Sequence, residues 1–228
     1  MTSSTLTALG PNRAEKRPSA GQGRKPLDQI NSLEIRMNTP PGYVVDFHRL
    51  PKGFPTHIHA SAFWESLGRA VATFGFLEET LTKAIFSFTA TKPYSETEVL
   101  EAYNKWLPKL EKSLTEQLWN LAESYGKAVR EHPHSEIEGL NNLIEHLKEA
   151  SKIRNVICHG SWQPPNADGA SVPFFVNRQK ERFERPINVD FLDQVQRHVT
   201  ELICAVISSV TCMGWQFPGS NGPGKKIW

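Results

Sequence analysis

Two stretches of this chain repeat one spacing. Leu67, Val71, Phe74, Glu78, Leu81 and Ile85 follow at intervals of four and three, and so do Leu140, Ile144, Leu147, Ser151, Arg154 and Cys158. An α-helix brings residues so spaced onto one face, because its 3.6-residue turn returns after three or four positions. Each stretch is therefore a helix with a core stripe, and each stripe contains one charge: Glu78 in the first, Arg154 in the second. A lone buried charge is strongly unfavourable, whereas a paired, hydrogen-bonded couple is tolerated. The two residues are expected partners.

The same periodicity recurs in Trp106, Leu110, Leu114, Leu118, Leu121 and Tyr125, and in Leu192, Val195, Val199, Leu202, Val206, Val210 and Met213. The spacing predicts a first helix from a Ser61 cap to about Ala90, with Phe63 and Phe88 beside its stripe. A second helical region opens on a capping box, Ser95 with Glu98, and breaks at Pro108 before a longer helix to about Arg130. A third runs from the capping box Ser135 and Glu138 to His159, with Gly160 ending it in a left-handed conformation, and a fourth from an Asn188 cap to Gly214. Four amphipathic helices with short connections bury their stripes most economically as an all-α, antiparallel four-helix bundle. Between the last two, Pro164, Pro165, Pro173 and Pro186 surround the run "VPFFVNRQKERFER", which reads as a loop with a small β-hairpin inserted before the last helix.

Outside the helices the composition changes. Residues 1–40 hold Arg13, Lys16, Arg17, Arg24, Lys25 and Arg36 among Gly, Pro and Ser, the pattern of a disordered basic tail. Residues 41–60 are an expected extended connector, 61–213 the helical domain and 214–228 a flexible tail. The chain is 39% hydrophobic and 22% charged, and no apolar run reaches the roughly 18–20 residues of a bilayer span. With no apolar leader region at the N-terminus, no membrane association and a cytoplasmic location are expected. Cys158, Cys204 and Cys212 form no CxxC pair, so reduced thiols packed as small hydrophobes are expected. A net charge of +2 means that any binding to phosphate depends on a local patch.

The third helix offers such a patch. Arg154, Asn155 and His159 wrap its C-terminal end, where side chains of different azimuth converge on whatever lies beyond it. Arginine presents a planar fork suited to phosphate, and histidine moves protons near neutral pH. Lys148 and Lys152 on the same helix, and Trp162 beyond it, are candidate substrate contacts; a solvated face and aromatic packing are the alternatives. Phe174 and Phe175 are candidate base-stacking platforms or hairpin packing. His57 and His59 in "HIH" would share a face for a metal only if that segment is extended, and no acidic or cysteine ligand is near; "HPH", His132 and His134, is a loop before a helix. No phosphate-cradling Gly-rich loop and no GxSxG elbow occurs, which argues against P-loop and serine-hydrolase chemistry.

The segment "RNVICH" resembles the Arg-x4-6-His motif of the HEPN superfamily, with Asn155 as the polar residue that usually follows the arginine. "RNVICHGSW" looks like the form common in small bacterial HEPN proteins, and "LEETL" at 77–81 is similar to the acidic first-helix motif that often accompanies it. The resemblance spans about residues 61–213. It implies a metal-independent endoribonuclease without cofactor, acting as a homodimer with both motifs in one cleft. In that reading Arg154 holds the scissile phosphate, His159 is the general acid/base, Asn155 orients one of them or donates to phosphate, and Glu78 positions Arg154, with Ser151 supporting. Attack by the RNA 2′-OH would leave a cyclic phosphate. A toxin or phage-defence role, with an antitoxin or regulatory partner, follows by analogy. A non-catalytic interaction module and a nucleotide-phosphate binder need the same basic residues and remain the alternatives.

Overall fold

The computed structural model describes residues 45–95, 97–101, 103–104, 107–108 and 116–221. The expected tail 1–40, Trp106, and Leu110 and Leu114 of the second stripe lie outside the described residues. The chain divides into two units, Met1–Phe47 and His48–Trp228, and the α-helices lie in the second. The four long ones are α1 (Ser61–Ala90), α2 (Leu118–Arg130), α3 (Leu140–His159) and α4 (Val189–Thr211), and residues 99–101, 103–104 and 107–108 are helical as well. The described residues contain no β-strand, so the protein is all-α over that range. Among the described residues no helix is long and apolar enough to cross a membrane.

The core follows the stripes. Phe74, Leu77, Leu81, Ala84 and Phe88 of α1 are buried with Leu121 and Tyr125 of α2, Leu147 of α3, and Leu192, Val199 and Val206 of α4. Helix α1 packs chiefly on α4 and then on α2, while α3 lies mainly against α2. Gly126 permits that last contact, since a Cβ there would overlap the Ile144 side chain. Val71 departs from its stripe: it is 38% exposed.

Several helix ends differ from expectation, and the first three N-caps make no side-chain hydrogen bond. Ala60, not Ser61, is the N-cap of α1. Helix α2 starts at Leu118 after an extended Gln117. Helix α3 starts at Leu140 from a left-handed Gly139, and the Ser135 hydroxyl is buried without a hydrogen bond, so no Ser135–Glu138 box forms. Gly160 is extended, φ −70° and ψ 139°, rather than left-handed. Two caps do form. Asn188 Oδ1 accepts from the Phe191 amide, and the Ser95 amide donates to Glu98.

The connector is turned, not extended, with 3₁₀ turns at Phe47–Arg49 and Thr56–Ile58. His57 is therefore exposed while His59 is buried against Phe63, and the two share no face. No cluster of three His, Cys, Asp or Glu suited to a metal occurs among the described residues. His132 of "HPH" is also buried, packed against Phe88 and Trp215. The insertion pairs through single antiparallel bridges, Ser161 with Phe174, Ser171 with Ile187 and Val176 with Arg182. Past Gly214, where a flexible tail is expected, Phe217 is buried and Trp215 lies edge-on to Phe88.

One polar contact locks α2 to α4. The buried Tyr125 hydroxyl donates to Ser209 Oγ at 2.7 Å, and burial pushes the phenol up to about 12, so it stays protonated. Tyr125→Phe removes that donor, and the expected loss is about 1 kcal/mol. In a chain of this size that corresponds to a fall of about 2–4 °C in Tm, measured by thermal denaturation.

Candidate functional site

The last two turns of α3 carry Arg154, Asn155 and His159, and α1 brings Glu78 alongside. Arg154 Nε lies 3.4 Å from Glu78 Oε1, with the two side chains 27% and 26% exposed. The pair is half-buried rather than dry. Its stripe neighbours explain the depth: Phe74 and Leu81 flank Glu78 and are buried, Ser151 precedes Arg154 and is buried, and Cys158 beyond it is exposed. The stripe thus leaves the core between Ser151 and Cys158, and Arg154 sits at the point of exit.

Arg154 Nη1 donates to Asn155 Oδ1 at 3.5 Å and approaches His159 Nε2 at 3.4 Å. His159 lies about 140° around an ideal helix from Arg154, and the length of the arginine closes that angle. A guanidinium has only donors, so in this contact His159 Nε2 is the acceptor. Nη2 donates to no protein group among the described residues.

Glu78 is electrostatically uncomfortable. Its Oε1 is buried without a hydrogen bond, because the arginine's approach is too poorly aligned to count as one. Burial pushes the carboxyl above its usual range, and Arg154 offsets this only in part. Unfavourable electrostatics of this kind gather at functional sites, although structural ion pairs also show them.

Other candidate residues lie elsewhere. Ser151 Oγ donates to the Lys148 carbonyl within its own helix. Lys148 Nζ bridges Glu123 at 2.6 Å and Glu145 at 2.9 Å and lies over the Trp119 ring. Those two carboxylates hold its ammonium above the ordinary lysine value and occupy its charge. Lys152 pairs with Glu149 at 2.5 Å. Trp162 packs edge-on to Phe63 and His59. Of the eight candidates, the fold brings Glu78, Arg154, Asn155 and His159 together and leaves Ser151, Lys148, Lys152 and Trp162 apart from them. Two of the three cysteines, Cys158 and Cys212, are exposed rather than packed.

Gly160 is a part of the site that its expected left-handed role conceals. A Cβ there would stand 2.6 Å from the Val156 carbonyl oxygen and 2.8 Å from Pro173 Cβ. Only glycine lets Pro173 press onto the end of α3, directly after His159. The Ser161 amide then donates to the Phe174 carbonyl, and the Phe174 amide to Ser161, clamping the insertion beside the motif. No family model, curated protein or solved structure matches the chain.

Two outcomes are expected. Since the folded Glu78 holds its proton more tightly than the unfolded one, its favourable contribution is fully present below the unfolded value and lost as pH rises through the folded one. Glu78→Gln therefore raises Tm at pH 7, and the gain over wild type shrinks toward pH 4 in a series of melting curves. Gly160→Ala forces Pro173 or the α3 terminus to move, at about 1–3 kcal/mol, measured by denaturant titration.

Proposed function

We propose that this protein is a HEPN-type, metal-independent endoribonuclease with a four-helix-bundle domain, acting as a symmetric homodimer. The observation that carries the reading is the contact of Arg154 with Asn155, His159 and Glu78 at one helix end. Arg154 Nη2 binds a nonbridging oxygen of the scissile phosphate, and the guanidinium steadies the charge that develops there. His159 Nε2 takes the proton of the neighbouring 2′-OH, whose oxygen attacks phosphorus. The P–O5′ bond breaks, leaving a 2′,3′-cyclic phosphate on one fragment and a 5′-hydroxyl on the other.

The leaving 5′-oxygen needs a proton, and one chain supplies one motif histidine. A two-fold axis through the cleft provides a second histidine, which acts as imidazolium and gives the 5′-oxygen its proton while the first takes up the 2′-OH proton, and a second guanidinium for the phosphate. Glu78 positions Arg154, and its unfavourable burial is retained for that purpose. A toxin or defence role, held in check by an antitoxin or regulatory protein in the cytoplasm, fits an enzyme that needs only RNA and its own side chains.

The test is incubation of purified protein with mixed RNA in EDTA. Wild type is expected to cleave. His159→Ala and Arg154→Lys are expected to lose activity about 100-fold or more while melting like wild type, because a lysine ammonium does not reach Glu78, Asn155 and the phosphate at once as the planar guanidinium does. Light scattering at micromolar concentration should give the mass of a dimer. Undiminished cleavage by His159→Ala would refute the catalytic assignment.

A further inference from the structure

A cleft of about 310 Å³ opens in the insertion, lined by Pro164, Pro165, Val172, Pro173, Phe174 and Arg182. That volume is at the lower end of small-ligand clefts, about 300–1,000 Å³. Its walls are rigid prolines and one aromatic ring. Alternation along the chain turns Ser171 and Pro173 inward, which leaves Val172, Phe174 and Val176 on the outer side. Phe174 is 51% exposed, and the exposed Arg182 guanidinium stands over its ring at 5.1 Å. A solvent-facing phenylalanine on a proline floor, covered only by a movable cation, does little for the core.

The cleft is also close to the motif. Ser161, paired by both backbone hydrogen bonds with Phe174, is two residues from His159. Chain geometry puts the Cα of Phe174 within roughly 12 Å of that of His159. Two amides add polar edges. Asn166 Oδ1 accepts from the Asp168 and Ala170 amides, which leaves its Nδ2 to donate. Gln163 Nε2 donates to the Ser161 carbonyl, which leaves its Oε1 to accept.

An aromatic face, a cation and a donor–acceptor pair at the edge are the groups that hold an unstacked nucleobase and its phosphate. We propose that this cleft is a nucleobase subsite. The base of a single-stranded RNA nucleotide near the scissile phosphate stacks on Phe174, Gln163 and Asn166 meet its Watson–Crick edge, and Arg182 swings from the ring to that nucleotide's phosphate. Every base carries a donor beside an acceptor on that edge, so the subsite selects unpaired RNA first. The inference rests on the ribonuclease reading for the identity of the strand.

The test uses the full chain and single-stranded RNA oligonucleotides carrying 2-aminopurine at successive positions. In the His159→Ala background, fluorescence should be quenched by stacking at one position near the cleavage point. Phe174→Ala should abolish that quench and weaken Kd about tenfold or more, Phe174→Trp should restore both, and Arg182→Ala should weaken binding with a shallower salt dependence. In the wild-type background Phe174→Ala should raise KM more than it lowers kcat. Cleavage with Kd, KM and quench unchanged in Phe174→Ala would overturn the subsite and leave the ribonuclease standing. Position-specific quench lost in Phe174→Ala, without cleavage by wild type, would keep the subsite and overturn the ribonuclease. Neither binding nor cleavage would overturn both.

Discussion

A guanidinium in an apolar helix stripe must find a carboxylate or leave the core, and Arg154 does part of each. It meets Glu78 across the α1–α3 contact at the place where the α3 stripe comes to the surface. The pairing holds the long side chain near the helix end. From there its Nη1 reaches Asn155 and His159. Were Arg154 one turn earlier, beside Leu147 and Ile144, the charge would be fully buried.

The pair is not a stabilising device. A half-buried ion pair recovers little beyond its desolvation, and the raised Glu78 carboxyl shows that desolvation is the larger effect here. A bundle selected only for stability is served better by an apolar pair at these positions. Retaining Glu78 makes sense if Arg154 must be held with one edge toward solvent. The stability of the domain comes instead from α1 packing on α4 and α2, at a distance from the charged end.

The long periodic stretches were legible in the sequence because 3.6-residue spacing is a property of the helix itself. Helix α1 runs over Ser61–Ala90 as its stripe predicts, and Asn188 caps α4. The partnership of Glu78 with Arg154 was legible too, since each is the one charge in its stripe. The starts of α2 and α3 were not. Ser135 with Glu138 is a capping pattern in sequence, but the chain turns at Gly139 instead. Lys148 reads as a free cation beside the motif, and only the fold brings Glu123 to it from α2. Gly160 reads as a helix stop, whereas its lack of a Cβ serves contact with Pro173, thirteen residues away. Trp215 and Phe217 follow a helix end among glycines and prolines, so nothing local announces that they return to the core.

The site and the insertion are joined by very little chain: Gly160, then Ser161 paired to Phe174. That economy ties the position of His159 to the packing of Pro173. On the proposed ribonuclease reading the residues around Arg154 supply a base and a phosphate donor, and the nucleophile is the 2′-OH of the substrate. The measurement that tests this most directly is cleavage of an RNA carrying a single 2′-deoxy nucleotide at the cleaved position. The account predicts that cutting at that bond is lost while neighbouring all-ribose sites are still cut to cyclic phosphate ends; cutting at the deoxy position at the ordinary rate would contradict it.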